Sequence, residues 1–398
     1  MLQAKSHQGV LVTLATLTKA EIERQKAEQQ FYCPVCNRQV IIKAGSRMIP
    51  HFAHKSTLHC PSSEGGEGAY HEKGKLLLYQ WLKSQHLQVE LEAHLPEINQ
   101  RPDLLLTINQ KKIAIEFQCA RIPIGKIKQR NKGYETLQIT PLWILGANRF
   151  RRQTKNHLKT DQFTLQFVHQ FSPSFPRTLF YFCPDTRQFT MIQDMYFPRM
   201  GQALGQFYFA ALPQLRFTDL FRQHTFSQFH LFELWGKEKK KFRLRKRTHL
   251  YGKELAWHQW LYIKRTHVEY LPSLIYLPVA AQYRMKTPLW NWQSRLVIDL
   301  LHPLPLGGQF SIESCKHLLR QHVHQASDFP LIQSNESPLN QYLHLLEKLQ
   351  VIKQLSPHQY TKTKSITFHK NIESALQDDE IIINQLRQSI SKANLGHV

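Results

Sequence analysis

The chain has 398 residues and 42% apolar content, enough for two or three packed units rather than wholesale disorder. Lys and Arg total 52 against 29 acids, a formal charge of +23, and a field of that sign collects polyanions, nucleic acid first among them. No run of 18 apolar residues, secretory pattern or lipidation motif stands out, so a membrane span, export and a lipid anchor are not expected, and the expected compartment is the cytoplasm.

In chain order, residues 10–14 read as a short strand. Thr18 and Glu21 have capping-box spacing and open a polar helix to about Gln29. Residues 31–61 form a Cys/His segment. Cys33 and Cys36 place two thiolates on one turn, the spacing that lets both reach a single ion. His51, His54, His59 and Cys60 compete for the two remaining places. Cys60 ends the segment and closes a tetrahedron with His54, so Cys33, Cys36, His54 and Cys60 are the expected ligands of a structural Zn²⁺, with His51 as substitute. A metal crosslink would supply the folding energy of so small a segment. Cys119, Cys183 and Cys315 stand alone and read as packing residues.

The Ser/Gly/Glu stretch 62–68 marks a boundary. Residues 70–85 have helical periodicity, with His71, Lys75, Leu78 and Leu82 on one stripe. Strands at 104–108 and 112–118 flank the turn Asn109-Gln110-Lys111. A basic helix over about 123–137 carries Lys126, Lys128 and Arg130, placed to grip a nucleic-acid backbone, and a strand at 142–145 ends in Gly146. Alternation along 112–118 sends Ile113, Ile115 and Phe117 into a core and puts Ala114, Glu116 and Gln118 on the other face. The hairpin brings Asp103 beside Glu116. Two carboxylates that close repel one another unless a cation is present, so Asp103 and Glu116 are the expected ligands of Mg²⁺ or Mn²⁺, with Gln118 holding a water or completing the outer shell.

Farther on, 178–182 and 187–192 read as a hairpin, and beyond about Pro213 the pattern is mainly helical. Lys237 to Arg247 holds eight basic residues and one acid. As an extended arm it would present Arg243, Arg245 and Arg247 on one side, with Lys239, Lys240 and Lys241 as further phosphate contacts. Tyr251, Trp257, Trp260 and Tyr262 read first as core and second as stacking partners for unpaired bases. Residues 311–323, 340–349 and 351–360 read as two helices and a wing, an arrangement common in DNA-binding modules.

Pro102-Asp103 with Glu116-x-Gln118 resembles the PD-(D/E)XK nuclease signature. Together with His71-x-x-x-Lys75, Trp143-Ile-Leu-Gly146, Tyr32-Cys-Pro-Val-Cys36 and Pro50-His-Phe-Ala-His54, these residues resemble the competence protein CoiA family, densely over 31–146. The resemblance implies an α/β fold with a restriction-endonuclease-like PD-(D/E)XK core. That core is expected over 63–165, between a zinc-binding N-terminal segment, 1–62, and a basic, mainly α-helical C-terminal domain, 166–398. Action in natural transformation on single-stranded or branched DNA is implied too, with a recombinase or other competence proteins as partners. In this scheme Asp103 and Glu116 are metal ligands, Gln118 takes the usual lysine position, and His71, Glu72 or Lys75 faces the site from a helix. Glutamine has neither charge nor titrating proton, so Lys75 or a second metal would fill the gap. Two functions follow: a divalent-metal-dependent deoxyribonuclease, or a catalytically inactive DNA-binding mediator that assists recombinase-driven strand pairing.

Overall fold

Five short strands at the start of the chain pair among themselves before the main sheet begins. They are β1 (Gln3–Ser6), β2 (Leu11–Thr13), β3 (Phe31–Tyr32), β4 (Gln39–Gly45) and β5 (Met48–His54), ordered β2-β1-β3-β4-β5 in an antiparallel sheet. The computed structural model describes residues 1–14, 17–45, 48–55, 60, 68–246, 249–334 and 336–394, without the side chains of 48 and 389–394. Helix α1 (Lys19–Glu28) starts at the expected capping box, in which the Glu21 amide donates to the Thr18 hydroxyl and the Thr18 amide to the Glu21 carboxylate. The apolar core of this unit is small, built on Ala4, Leu14, Ile22, Phe31, Val40, Ile42 and Phe52. The linker read at 62–68 lies, except for Gly68, outside the described residues.

The main sheet grows from α2 (Ala69–Lys83), β6 (Gln88–Leu91), β7 (Leu104–Ile108), β8 (Lys111–Gln118), α3 (Ile124–Thr136) and β9 (Thr140–Gly146). The β7–β8 turn uses Asn109 at φ +47° and Gln110 at φ +65°, the left-handed pair that a two-residue hairpin loop requires. Helix α3 then carries the chain across to β9, which runs parallel to β8. The sheet continues through β10 (His157–Lys159), the single-turn α4 (Gln162–Leu165), β11 (Leu179–Cys183), β12 (Gln188–Arg199) and β13 (Gln202–Ala211), in the order β10-β13-β12-β11-β9-β8-β7-β6. The break expected at residue 165 therefore falls inside the sheet. β9 is apolar and buried, and its second edge is closed by β11.

Both faces of this sheet are covered. Leu78, Trp81 and Leu82 of α2 pack on Leu104, Leu106, Ile115, Phe117, Leu142, Ile144 and Phe180. A Cβ on Gly74 would lie 1.9 Å from the Phe117 ring, so the glycine is what lets α2 approach β8 so closely. On the opposite face, α3 and the C-terminal half cover Trp143, Leu145, Leu179, Tyr181 and Ile192.

The remaining elements are α5 (Gln228–Leu244), α6 (Gly252–Ile263), α7 (Leu289–Arg295, continued by a π-helical turn Leu296–Leu301), β14 (Gln309–Ser311), α8 (Ile312–Leu319), α9 (Pro338–Lys348), β15 (Ile352–Ser356), β16 (Gln359–Lys362) and α10 (Ile372–Asn394). The two helices and hairpin wing expected in 311–360 are present as α8, α9 and β15–β16, with β14 added to give the sheet β14-β16-β15. Helix α9 turns Leu339, Tyr342, Leu343 and Leu346 into the core. Among the described residues no helix is long and apolar enough to cross a membrane.

One expectation is overturned here. Residues 237–244 are the second half of α5, not an extended arm. Helical spacing sends Lys239 and Arg243 to the same inner face. Both are buried. Lys239 Nζ donates to the carbonyls of Ser273 (2.8 Å) and Ile275 (2.5 Å), and Arg243 to those of Val268 and Leu271. Asp379 of α10 pairs with both cations, at 3.2 and 2.9 Å. These two side chains hold helices together and cannot serve as phosphate contacts. Lys240, Lys241 and Arg245 are exposed, the last two beside Glu238 and Glu254, and Arg247 lies outside the described residues. Trp257 is core, while Tyr251 and Tyr262 are exposed.

Candidate active site and metal centre

Leu104 of β7 pairs with Ile115 of β8, so the residue before β7, Asp103, stands opposite Glu116. Asp103 Oδ2 accepts from the Phe117 amide (2.8 Å) and lies 3.2 Å from His71 Nε2. His71 is itself stacked on the Phe117 ring. One helical turn on, the fully buried Lys75 brings Nζ to 3.3 Å from Glu72 and 3.9 Å from Asp103, and into a shorter bond with Glu92. A single ammonium thus serves three carboxylates. Glu92 follows β6 at φ +51°, accepts from the Leu2 amide (3.0 Å), and lies 3.6 Å from Arg101.

Glu116 meets a different helix. Arg130 and Tyr134, one turn apart on the inner face of α3, both donate to Glu116 Oε1, with Arg130 Nε at 3.1 Å. Arg130 also donates to the Arg101 carbonyl. Burial, together with the negative charge of Asp103, pushes the Glu116 carboxyl up to about 7 against the opposing pull of Arg130. Gln118 ends β8 and donates to the Ala120 carbonyl at 2.7 Å.

The structure thus brings His71, Lys75, Asp103 and Glu116 together at the end of the β7–β8 hairpin. Arg130 belongs with them and not with an outer backbone grip, because its guanidinium is engaged by Glu116. Lys128 pairs with Asp328 at 2.7 Å, and only Lys126 of that trio is fully exposed. Glu92, Arg101 and Tyr134 were not anticipated. Glu92 belongs to no spaced motif, and the short alternation Gln88–Leu91 was its only signal. Asp103 and Glu116 form a donor pair suited to a hard cation that takes one or two carboxylates and keeps its waters.

The sulfur-containing cluster is tighter. The Cys33 amide donates to the Arg38 carbonyl (2.8 Å) and the Asn37 amide to the Cys33 carbonyl (3.0 Å), folding Cys33 to Cys36 into a knuckle with Asn37 at φ +53°. Cys33 Sγ lies 3.8 Å from Cys60 Sγ, and Cys36 Sγ lies 3.3 Å from His54 Nε2. Among the described residues, Cys33, Cys36, His54 and Cys60 form the one set of three or more ligand-type side chains whose ligand atoms all lie within 4.8 Å of one another. His51 stands three positions from His54 on β5, hence on the opposite face, and its Nδ1 faces the Ile49 carbonyl at 3.0 Å. His59 lies outside the described residues. Burial pushes the Cys33 thiol up to about 11, a cost that a cation among the sulfurs offsets, and an S₃N donor set fits zinc.

Three family models match the chain in sequence order. The competence protein CoiA N-terminal domain covers residues 14–63, the nuclease-like domain 67–225 and the C-terminal domain 232–376. The nuclease-like match begins just before α2 and ends beyond β13, so it includes the whole eight-stranded sheet. Competence protein CoiA of Bacillus subtilis (strain 168) is 29% identical over 313 residues, which cover 77% of this chain and 82% of that protein. No solved structure matches.

Proposed function

Since the chain belongs to the competence protein CoiA family and carries that family's nuclease-like domain, we propose that it is a divalent-metal-dependent deoxyribonuclease of PD-(D/E)XK type. Its substrates in natural transformation would be incoming single-stranded DNA or recombination intermediates. The observation that carries this reading is the opposition of Asp103 and Glu116 across the hairpin, where burial first and the charge of Asp103 second raise the Glu116 carboxyl. Asp103 and Glu116 would hold Mg²⁺ or Mn²⁺, which when bound supplies Lewis acidity toward a phosphodiester. His71 and the Phe117 amide orient Asp103. Lys75 supplies the positive charge that Gln118, in the usual lysine position, cannot. Glu72 and Glu92 pair with the buried Lys75 ammonium, and Gln118 is anchored on the Ala120 carbonyl. Zn²⁺ at Cys33, Cys36, His54 and Cys60 would be structural.

Purified protein should nick single-stranded or branched DNA only with added Mg²⁺ or Mn²⁺. Asp103→Asn and Glu116→Gln should each lose at least about a hundredfold in rate while still binding DNA. Equal inactivity of wild type and double variant on single-stranded, duplex, flap and D-loop substrates would exclude the enzyme.

A second reading rests on one specific feature: each carboxylate already has a protein cation near it, Asp103 from Lys75 of α2 and Glu116 from Arg130 of α3. On that reading the chain is a catalytically silent mediator that helps a recombinase pair strands. Alanine at Asp103 and Glu116 would then leave transformation intact, whereas neutralising the exposed Lys126, Lys240, Lys241 and Arg245 would cripple it.

A further inference from the structure

Beyond the acidic site, the same face of the main sheet carries a second chemical feature. The cross-strand register runs Gln118 to Leu145, Leu145 to Tyr181, Tyr181 to Thr190 and Thr190 to Phe209. Residues opposed in this way share a face, so Phe209 lies on the same row as Gln118. Four strand spacings separate them, roughly 19 Å. Two residues along β13, Phe207 shares that face, and both rings are partly exposed. They stack on one another at 6.2 Å and 22°. Phe150, from the segment after β9, meets both at 6.1 and 6.3 Å and rests on Tyr181. The Arg152 guanidinium lies over both Phe207 and Phe209, 5.2 Å from each centroid.

The charge here is one-sided. No acidic residue occurs between Glu135 and Asp161, while Arg149, Arg151, Arg152, Lys155 and Lys159 all fall in that interval. Arg151 and Arg152 donate to backbone carbonyls, of Phe150 and of Thr154 and Lys155, which orders their stems without cancelling their charge. Arg149 and Arg121 flank the Phe163 ring, and Arg121 is paired with Asp161, so the unpaired charge among the described residues here is that of Arg151, Arg152 and Lys155. Partly exposed rings under an arginine plane, bordered by free positive charge, are what a single strand needs: π-faces for bases and cations for phosphates. Duplex DNA, with its bases stacked inside, has no use for the rings.

We propose that Phe150, Phe207, Phe209 and Arg152 form a stacking platform for single-stranded DNA, with Arg149, Arg151 and Lys155 along its phosphates. The platform would hold the strand at the β13 side of the sheet, four strand spacings from Gln118, because Leu145 and Tyr181 on the row between them are buried. This deepens the nuclease reading by naming how substrate is held, but binding itself does not require cleavage.

The test is fluorescence anisotropy on a dye-labelled single-stranded oligonucleotide and its duplex, without added divalent metal so that nothing is cut. Phe207→Leu/Phe209→Leu keeps apolar bulk and removes the rings. It should weaken single-strand binding by about tenfold or more and leave duplex binding within about twofold. Arg151→Gln/Lys155→Gln should weaken binding and flatten its dependence on log salt by about 1.4, at ~0.7 per lost phosphate contact. Circular dichroism melts establish that both variants fold, and if the leucine pair melts early, Phe209→Leu alone carries the test. Wild-type affinity in a folded leucine variant, or equal losses on single strand and duplex, overturns the platform. If the platform variants lose affinity but no protein cuts DNA, the nuclease reading alone fails.

Discussion

At the scale of single residues, Glu116 couples charge to stability. Its carboxyl titrates at about 7 in the fold, against 4.5 for a free glutamate, because burial and Asp103 disfavour its charge. Between those values the native state keeps a proton that the unfolded chain has released. Its contribution to stability is therefore complete below about 4.5 and is lost as pH rises through 7. Urea denaturation from pH 4.5 to 8 should show wild type losing on the order of 3 kcal/mol relative to Glu116→Gln, in metal-free buffer. Parallel curves for the two proteins would mean that the carboxyl is not strained. The same scale shows what a motif can reveal. Asp103, Glu116, His71 and Lys75 were legible because hairpin register and helical spacing are local rules. Glu92 was not, because a lone acid after a four-residue strand becomes informative only once Lys75 is seen to reach it.

Among elements, the basic run of α5 is the instructive case. Its composition suggested a DNA-facing arm, yet two of its cations are internal ties. A buried ion pair broken on one side leaves an uncompensated charge, so Asp379→Ala should cost about 3–5 kcal/mol in a denaturant titration by stranding Lys239 and Arg243. Lys240→Gln with Lys241→Gln, both exposed, should change stability by no more than about 0.5 kcal/mol. A mild effect of Asp379→Ala would show that α10 does not depend on this contact. The strand-or-helix ambiguity of residues 237–247 could not be resolved by charge, since eight cations satisfy either geometry. What decided it was burial of Phe232, Trp235 and Phe242 on the helix face.

For the whole molecule, the amino-terminal unit and the sheet are joined where the Leu2 and Gln3 amides donate to Glu92, the carboxylate that also holds Lys75. Metal loss should therefore be felt at a distance. With a zinc chelator, or in Cys36→Ser, hydrogen exchange should accelerate throughout residues 1–60 and then at Glu92 and Lys75. The core strands β8, β9 and β11 should stay protected. Unchanged exchange in residues 1–60 after chelation would remove metal from the folding of that unit.

The sequence alone determined the elements whose causes are local: the capping box at Thr18, a turn at Asn109-Gln110-Lys111 that the structure tightens to two residues, the Cys33–Cys36 knuckle, the β7–β8 hairpin, and the two helices and wing near the end. It also marked the acidic pair and the thiol cluster, because short spacings survive without knowledge of the fold. Only the tertiary structure decided that the sheet runs on from β9 to β13, that His54 and not His51 joins the sulfurs, that Arg130 neutralises Glu116, and that Lys239 and Arg243 lie inside. Each of those outcomes depends on which surface meets which across long separations in the chain. Burial and pairing set that competition, and no spacing between neighbouring residues records its result.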